Sequence, residues 1–356
     1  MDSITQMVLG AAVAAAVVPA QQRRRALIYG AMLGTVPDLD VLVRYADPVD
    51  NMTWHRSYSH SLLLLPPLAL VLWWLAKRLD GAIAVAPGRW LGAFLLALVT
   101  HPLLDAFTIY GTQLWWPLDP TPVGLGSIFI IDPLYTLPLM GAVLWLGWRA
   151  RSPAAGRRAL TTGLTVSSCY LLWSVLAQQY VLDRALADRQ RPTEASASLM
   201  ATPAPLTTLL WRVVQRQPGS YDEAYMSLWV DPFPTPWVRH ASRDELGPAL
   251  AGHPPYERMV WFTHGFYGLQ TEADQVILRD LRMGSEPVYV FSFAIAQTGD
   301  DGLRTAPAVQ LDQAQPRSVM FSWLAERLFS PGSCLETPDR MLAAKPTPSP
   351  IGSCGR

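Results

Sequence analysis

Three acids and three histidines stand at spacings that suit a metal site, in a chain otherwise sparing with charge. In "THPLLDAFTIYG" His101 and Asp105 lie four residues apart, so on a helix they share one face about a turn apart. That spacing lets both bind one metal, or lets the carboxylate orient the imidazole; a plain structural hydrogen bond is the competing reading. In "HRSYSHS" His55 and His60 are five apart at a loop-to-helix entry, either a ligand pair or interfacial histidines bonded to backbone. "PDLD" offers Asp38 and Asp40, as ligands or as a turn leading into a helix cap. Asp132-Pro133 reads first as an N-cap with proline at N1, and second as a general base. Taken together, these carboxylates have almost no neighbouring cation except Arg56. Uncompensated acids would repel one another or protonate, and a divalent metal resolves the conflict. Mixed nitrogen and oxygen donors favour zinc, with manganese or iron next.

The elements that must position these residues are apolar. Of 356 residues, 50% are hydrophobic and only 16% charged, against about 25% charged in an ordinary soluble domain. The 14 Trp also suit a membrane interface. Lys+Arg and Asp+Glu balance at 28 each, so nothing points to nucleic acid. Three cysteines make neither a metal cluster nor a dense disulfide framework. Apolar runs fall at 7–20, 26–37, 61–76, 90–109, 128–148 and 159–182. The first two are short and rich in Ala and Gly, which predicts a tight hairpin. The expected fold is mainly α, a polytopic membrane bundle of about six hydrophobic helices followed by a small β-rich extramembrane domain. Basic residues cluster in alternate connections (Arg23 to Arg25; Lys77, Arg78 and Arg89; Arg149 to Arg158), which places those connections in the cytoplasm. Both termini and the acid–histidine set then lie outside.

The expected organisation is a membrane domain over 1–188, a Pro/Ala/Ser/Thr linker over 189–207, a β-rich domain over 208–332 and a disordered tail over 333–356. Strand-like stretches are "EAYMSLWVD", "ERMVWFTHGFYGLQT", "DQVILRDLR" and "PVYVFSFAIAQ", closed by a helix at "SVMFSWLAERLF". His264 reads as a packed strand residue, and Cys334 and Cys354 are a candidate disulfide pair.

"MDSITQMVLGAA", "GTVPDLD", "HRSYSHS" and "HPLLDAFTIYGTQLWWP" occur in the order and wording of the YdjM-type membrane-bound metal-dependent hydrolases. The chain resembles that family over roughly residues 1–185. The family itself is distantly similar to zinc-dependent phospholipases C and single-strand nucleases. The resemblance implies metal-binding roles for Asp38, His60, His101 and Asp105, with Asp40 and His55 as further ligands or their partners, and an address in the bacterial inner membrane. Where many relatives read Asp-x-x-Thr-His, this chain reads "DSITQ", so Gln6 stands at a metal position as a weak oxygen ligand; Ser3-x-x-Gln6 also reads as a capping box.

The activity expected is hydrolysis of a phosphoester by a metal-activated water, with Arg56 either on a phosphate oxygen or paired with lipid head groups and Asp40 or Asp132 as general base. A lipid or lipid-linked phosphate is the substrate expected at head-group level. Two other classes stand beside the enzyme: a transporter using its acids and histidines as an ion path, and a non-catalytic scaffold with a structural metal.

Overall fold

The computed structural model describes residues 1–149, 152–189, 198–299, 302–311 and 317–332. The chain divides into two compact units. One comprises Met1–Arg44, Thr53–Val175 and Pro205–Thr207; the other comprises Tyr45–Met52, Leu176–Ala204 and Thr208–Arg356.

The first unit is helical. Its elements are α1 (Ser3–Val17), α2 (Arg23–Thr35), the end of α3 (Pro48–Trp54), α4 (Leu65–Leu79), α5 (Gly81–Val85), α6 (Pro87–Asp105), α7 (Pro133–Leu144) and the first part of α8 (Pro153–Arg189). Local chemistry sets their starts. Asp2 caps α1 by accepting from the amides of Ile4 and Thr5, so a capping box through Gln6 is not what forms here. Asp132 caps α7 ahead of Pro133, as Asp-Pro reads in sequence. The core gathers Leu9, Leu33, Leu65, Trp90, Phe94, Leu98, Tyr135 and Leu139.

The expected Ala/Gly hairpin is present, and its crossing is unusually close. A Cβ on Gly10 or Gly30 would sit 2.2 Å from the other's carbonyl oxygen, and one on Gly34 would sit 2.4 Å from that of Gln6. Only hydrogen fits there, so these glycines set the depth at which α1 meets α2.

The expectation of about six membrane helices does not hold. Among the described residues one helix, Pro153–Asp188, is by itself long and apolar enough to cross a membrane. The apolar runs do become helices, but they end early. α1 and α4 have 15 residues and α2 has 13, which is about 20–23 Å at 1.5 Å per residue against a hydrocarbon core of about 30 Å; α7 has 12 and runs on into a five-residue π-helix, Trp145–Arg149. α6 reaches 19 residues but carries Arg89, His101, Pro102 and Asp105. The sidedness drawn from alternate basic loops loses its basis with that count.

The second unit is built on antiparallel sheets. One has the order β1-β2-β3-β4 (Ser198–Pro203, Leu210–Gln217, Ser220–Ser227, Val238–Ala241). Another has the order β10-β9-β6-β5, with β5 Tyr267–Glu272, β6 Gln275–Asp280, β9 Ser292–Gly299 and β10 Gly302–Gln310; β7 (Gly284–Ser285) pairs with β8 (Val288–Tyr289). Residues 198–203, within the stretch expected as linker, are β1. The end of α8 packs Ala177, Val181 and Ala185 against Trp211, Val213 and Met226 of the first sheet. Two short helices, α9 (Gly247–Leu250) and α10 (Pro254–Phe262), precede β5. The strand expected through "ERMVWF" is therefore helix: Pro254 and Pro255 open it, their fixed φ suiting the first turn. His264 follows in a left-handed turn conformation, φ 53°, rather than in a strand. The closing helix forms as α11 (Arg317–Phe329), where buried Arg327 donates to Asp231 Oδ2 at 2.6 Å. Residues 190–197, the tail from 333 and both Cys334 and Cys354 lie outside the described residues.

Gly30→Ala is expected to lower stability by about 1–3 kcal/mol through overpacking at a backbone contact that cannot give way. Thermal denaturation of the purified variant beside wild type measures it.

Candidate metal centre

Four side chains meet in the helical unit: Asp38, His60, His101 and Asp105, each offering one atom within 4.8 Å of the others. Asp38 comes from the first turn of a short 3-10 helix (Pro37–Leu42) after α2, and His60 from another (Tyr58–His60). His101 and Asp105 lie on the last turn of α6. The segment 112–116 fixes the His60 loop. Gln113 N–H donates to the Arg56 carbonyl at 2.9 Å, Leu62 N–H to that of Leu114 at 2.9 Å, and Ser61 Oγ to that of Trp116 at 2.5 Å.

Five of the six distances between ligand atoms are close to a tetrahedron's edge, and the sixth, Asp38 to Asp105, is within 4.8 Å. His60 Nε2 lies 3.1 Å from His101 Nε2 and 3.2 Å from Asp105 Oδ2. His101 Nε2 is 3.3 Å from Asp105 Oδ2 and 3.3 Å from Asp38 Oδ1, and His60 Nε2 is 3.5 Å from Asp38 Oδ1. Four ligands placed about 2.0–2.1 Å from a central zinc would be separated by about 3.3 Å.

Hydrogen bonds behind the histidines decide what their inner nitrogens can do. His101 Nδ1 faces the Gly34 carbonyl at 2.7 Å. A carbonyl only accepts, so Nδ1 carries the hydrogen and Nε2 presents a lone pair. Ser59 donates its one hydrogen to Asp40 Oδ2 at 2.7 Å. His60 Nδ1, 2.9 Å from Ser59 Oγ, must then donate to that oxygen, and its Nε2 also presents a lone pair. Asp105 Oδ2 is buried without a hydrogen-bond donor. Neutral histidines would therefore leave four electron-rich atoms facing one another. A cation in the middle satisfies all four, and this donor set fits zinc.

Charge in the surroundings leads the same way. Burial opposes ionisation of Asp38, but the facing His101 and His60 rings, when they carry a proton on Nε2, hold its carboxyl far below the usual range. Burial also opposes a charged Asp105, yet the Arg56 guanidinium, the terminal amine and the two histidines keep it well below its ordinary value. For His101, burial disfavours the charged ring while Asp105 and Asp38 raise its pKa overall. The pocket is thus arranged for two carboxylate anions and a positive charge between them.

The remaining residues expected at the site take other places. Asp40 accepts from His55 Nδ1 at 2.8 Å, from the Arg56 amide at 2.9 Å and from Ser59, so it organises the loop rather than joining the four. His55 is held by that bond and edges against Tyr110. Arg56, in a left-handed conformation with φ 64°, is buried. Its guanidinium lies 3.4 Å from Asp105 Oδ1, donates to Thr108 Oγ1 at 3.1 Å and sits 5.0 Å from the Tyr110 ring centroid. Gln6 stands behind Asp105, its amide donating to Oδ1 at 3.0 Å and to the His101 carbonyl at 3.3 Å. The Met1 amine also donates to Oδ1. Asp132 spends its oxygens on the α7 cap and on the Tyr170 hydroxyl at 2.8 Å. Sequence reasoning passes over Ser59 and Gly34, although "SYSHS" sets a hydroxyl beside His60.

Comparison with known proteins gives the class first. A family model described as YdjM inner membrane protein matches residues 1–181, just over half of the 356-residue chain, and that stretch contains all four clustered residues. The chain belongs to the YdjM family of inner membrane proteins. Among curated proteins it is similar to the "Uncharacterized protein YfhP" of Bacillus subtilis (strain 168), 26% identical over 187 residues that cover 48% of this chain and 51% of that protein. The chain thus spans about half the length of the relative it matches. No solved structure matches it.

Purified protein is expected to hold one divalent metal per chain by elemental analysis and to lose it in His101→Ala. Ser59→Ala should weaken zinc binding about 10–100-fold in a chelator competition while stoichiometry at saturation stays at one, and Ser59→Thr should restore the affinity.

Proposed function

We propose that this protein is a membrane-associated, metal-dependent hydrolase of phosphoesters, acting on a lipid or lipid-linked substrate. The observation that carries the reading is the convergence of His60, His101, Asp105 and Asp38, whose ligand atoms all lie within 4.8 Å of one another, five of the six separations being 3.1–3.5 Å. Zinc is the metal this set suits best, with manganese or iron behind it. When bound, such a cation supplies Lewis acidity toward a phosphoryl oxygen and a water acidic enough to attack near neutral pH.

The chain's own groups have separable tasks. His60, His101 and Asp105 hold the cation. Gly34 and Ser59 fix the imidazoles so that Nε2 faces inward. Arg56 and Gln6 steady the far oxygen of Asp105, so its second oxygen would be available to the metal. Asp40, with its oxygens engaged by His55, Arg56 and Ser59, positions the loop.

The lipid part of the reading rests on the segment that carries Asp38. Leu39, Val41, Leu42 and Val43 are all exposed. Consecutive exposed apolar side chains are costly in water and suit contact with acyl chains, and the family is one of inner membrane proteins. A second reading, a structural metal in a scaffold, draws on the fact that a closed set of four protein ligands is typical of structural zinc.

Hydrolysis separates the two. Wild-type protein in detergent is expected to release the phosphorylated headgroup or the free alcohol from phospholipid or a chromogenic phosphoester. Chelation should abolish this, zinc should restore it, and His60→Ala should lose at least about a hundredfold. Metal-loaded wild type without turnover on any phosphoester would leave the scaffold standing.

A further inference from the structure

The four ligand atoms are held very unequally. Asp105 Oδ1 receives Gln6 and the Met1 amine, with Arg56 3.4 Å away, and the Asp105 carbonyl accepts from Thr108. His101 is tied to Gly34 and His60 to Ser59. The side chains of His60, His101 and Asp105 are 0%, 1% and 0% exposed, whereas that of Asp38 is 19% exposed. Among the described residues the polar contacts of the Asp38 carboxylate run to the two Nε2 atoms alone. Its backbone belongs to a six-residue 3-10 helix, a form with poorer hydrogen bonds than an α-helix and commonly short.

We propose that Asp38 is the exchangeable ligand of the centre: His60, His101 and Asp105 retain the metal, and an anionic oxygen of the substrate takes the position that Asp38 covers. The inference rests on the metal-hydrolase reading and specifies how a four-ligand site opens. Two histidines and one carboxylate are by themselves a complete catalytic set, the fourth position belonging to water or substrate. Carboxylate and phosphoryl oxygens are both hard anionic donors, so replacing one with the other keeps the type and charge of the fourth ligand. Exposure matters because, of the four, Asp38 is the one an incoming group can reach; the opposite side of Asp105 is filled by Gln6, Met1 and Arg56.

The test uses the full-length chain in detergent, loaded with cobalt(II), whose visible absorption follows its ligands, and inorganic phosphate as the probe. Asp38→Ala is expected to keep one cobalt per chain, with affinity within about a hundredfold of wild type. Asp105→Asn should lose cobalt. Phosphate should shift the absorption of Asp38→Ala at a concentration at least about tenfold lower than it shifts wild type, because its competitor is gone. Asp38→Asn, which preserves the shape of the side chain, should show the same tightening if the alanine variant misfolds. Loss of cobalt from both Asp38 variants as complete as from Asp105→Asn would overturn the proposal. So would a phosphate response that is absent or unchanged across wild type and variants. Wild type that takes up no cobalt would remove the metal reading itself, a result distinct from either.

Discussion

Two imidazole lone pairs and two carboxylate oxygens aimed at one point are tolerable only around a positive charge, and much of the helical unit serves to keep them aimed. Gly34 and Ser59 leave the histidines little choice: with Nδ1 committed as a donor to each, Nε2 is the atom left for the centre. Arg56, Gln6 and the Met1 amine all approach one oxygen of Asp105 and leave the other without a hydrogen-bond donor. Removing any one of these partners would loosen the aim of a ligand.

That aim is traceable to backbone geometry well away from the centre. The glycine contact between α1 and α2 brings the Gly34 carbonyl within reach of His101, and Gln6 within reach of Asp105. The 112–116 segment sets the height of the His60 loop through three hydrogen bonds. Arg56 accepts a left-handed backbone in that loop; for a side chain other than Gly, Asn or Asp this is costly and tends to persist where surrounding structure demands it. The centre is therefore a product of the whole first unit, the part that the YdjM family model covers.

Much of the centre is legible in the amino-acid sequence, and the parts that are not have physical causes. The four-residue spacing of His101 and Asp105 shows a shared helix face, and the four motifs in order point to Asp38 and His60 as their companions. Spacing cannot show which oxygen of a carboxylate is already taken, so Asp40, Asp132 and Gln6 read as site residues, whereas in the fold they serve a loop, a helix cap and the back of Asp105. Hydropathy marks six apolar runs, and each does become a helix. It cannot mark where a helix stops: Val17 and Thr35 end their segments well short of a bilayer's thickness, leaving one helix among the described residues that is by itself long enough to span. Aromatic and β-branched residues in "ERMVWF" suggest a strand, and the two prolines ahead of them decide for a helix.

The most direct measurement is X-ray absorption at the zinc edge on the purified, metal-loaded protein. A single zinc is expected, with four nitrogen or oxygen neighbours at about 2.0–2.1 Å and the multiple-scattering signature of two imidazoles, and no zinc retained in His60→Ala. Zinc surrounded by six oxygens, by sulfur, or without imidazole scattering would contradict a centre built from His60, His101, Asp105 and Asp38.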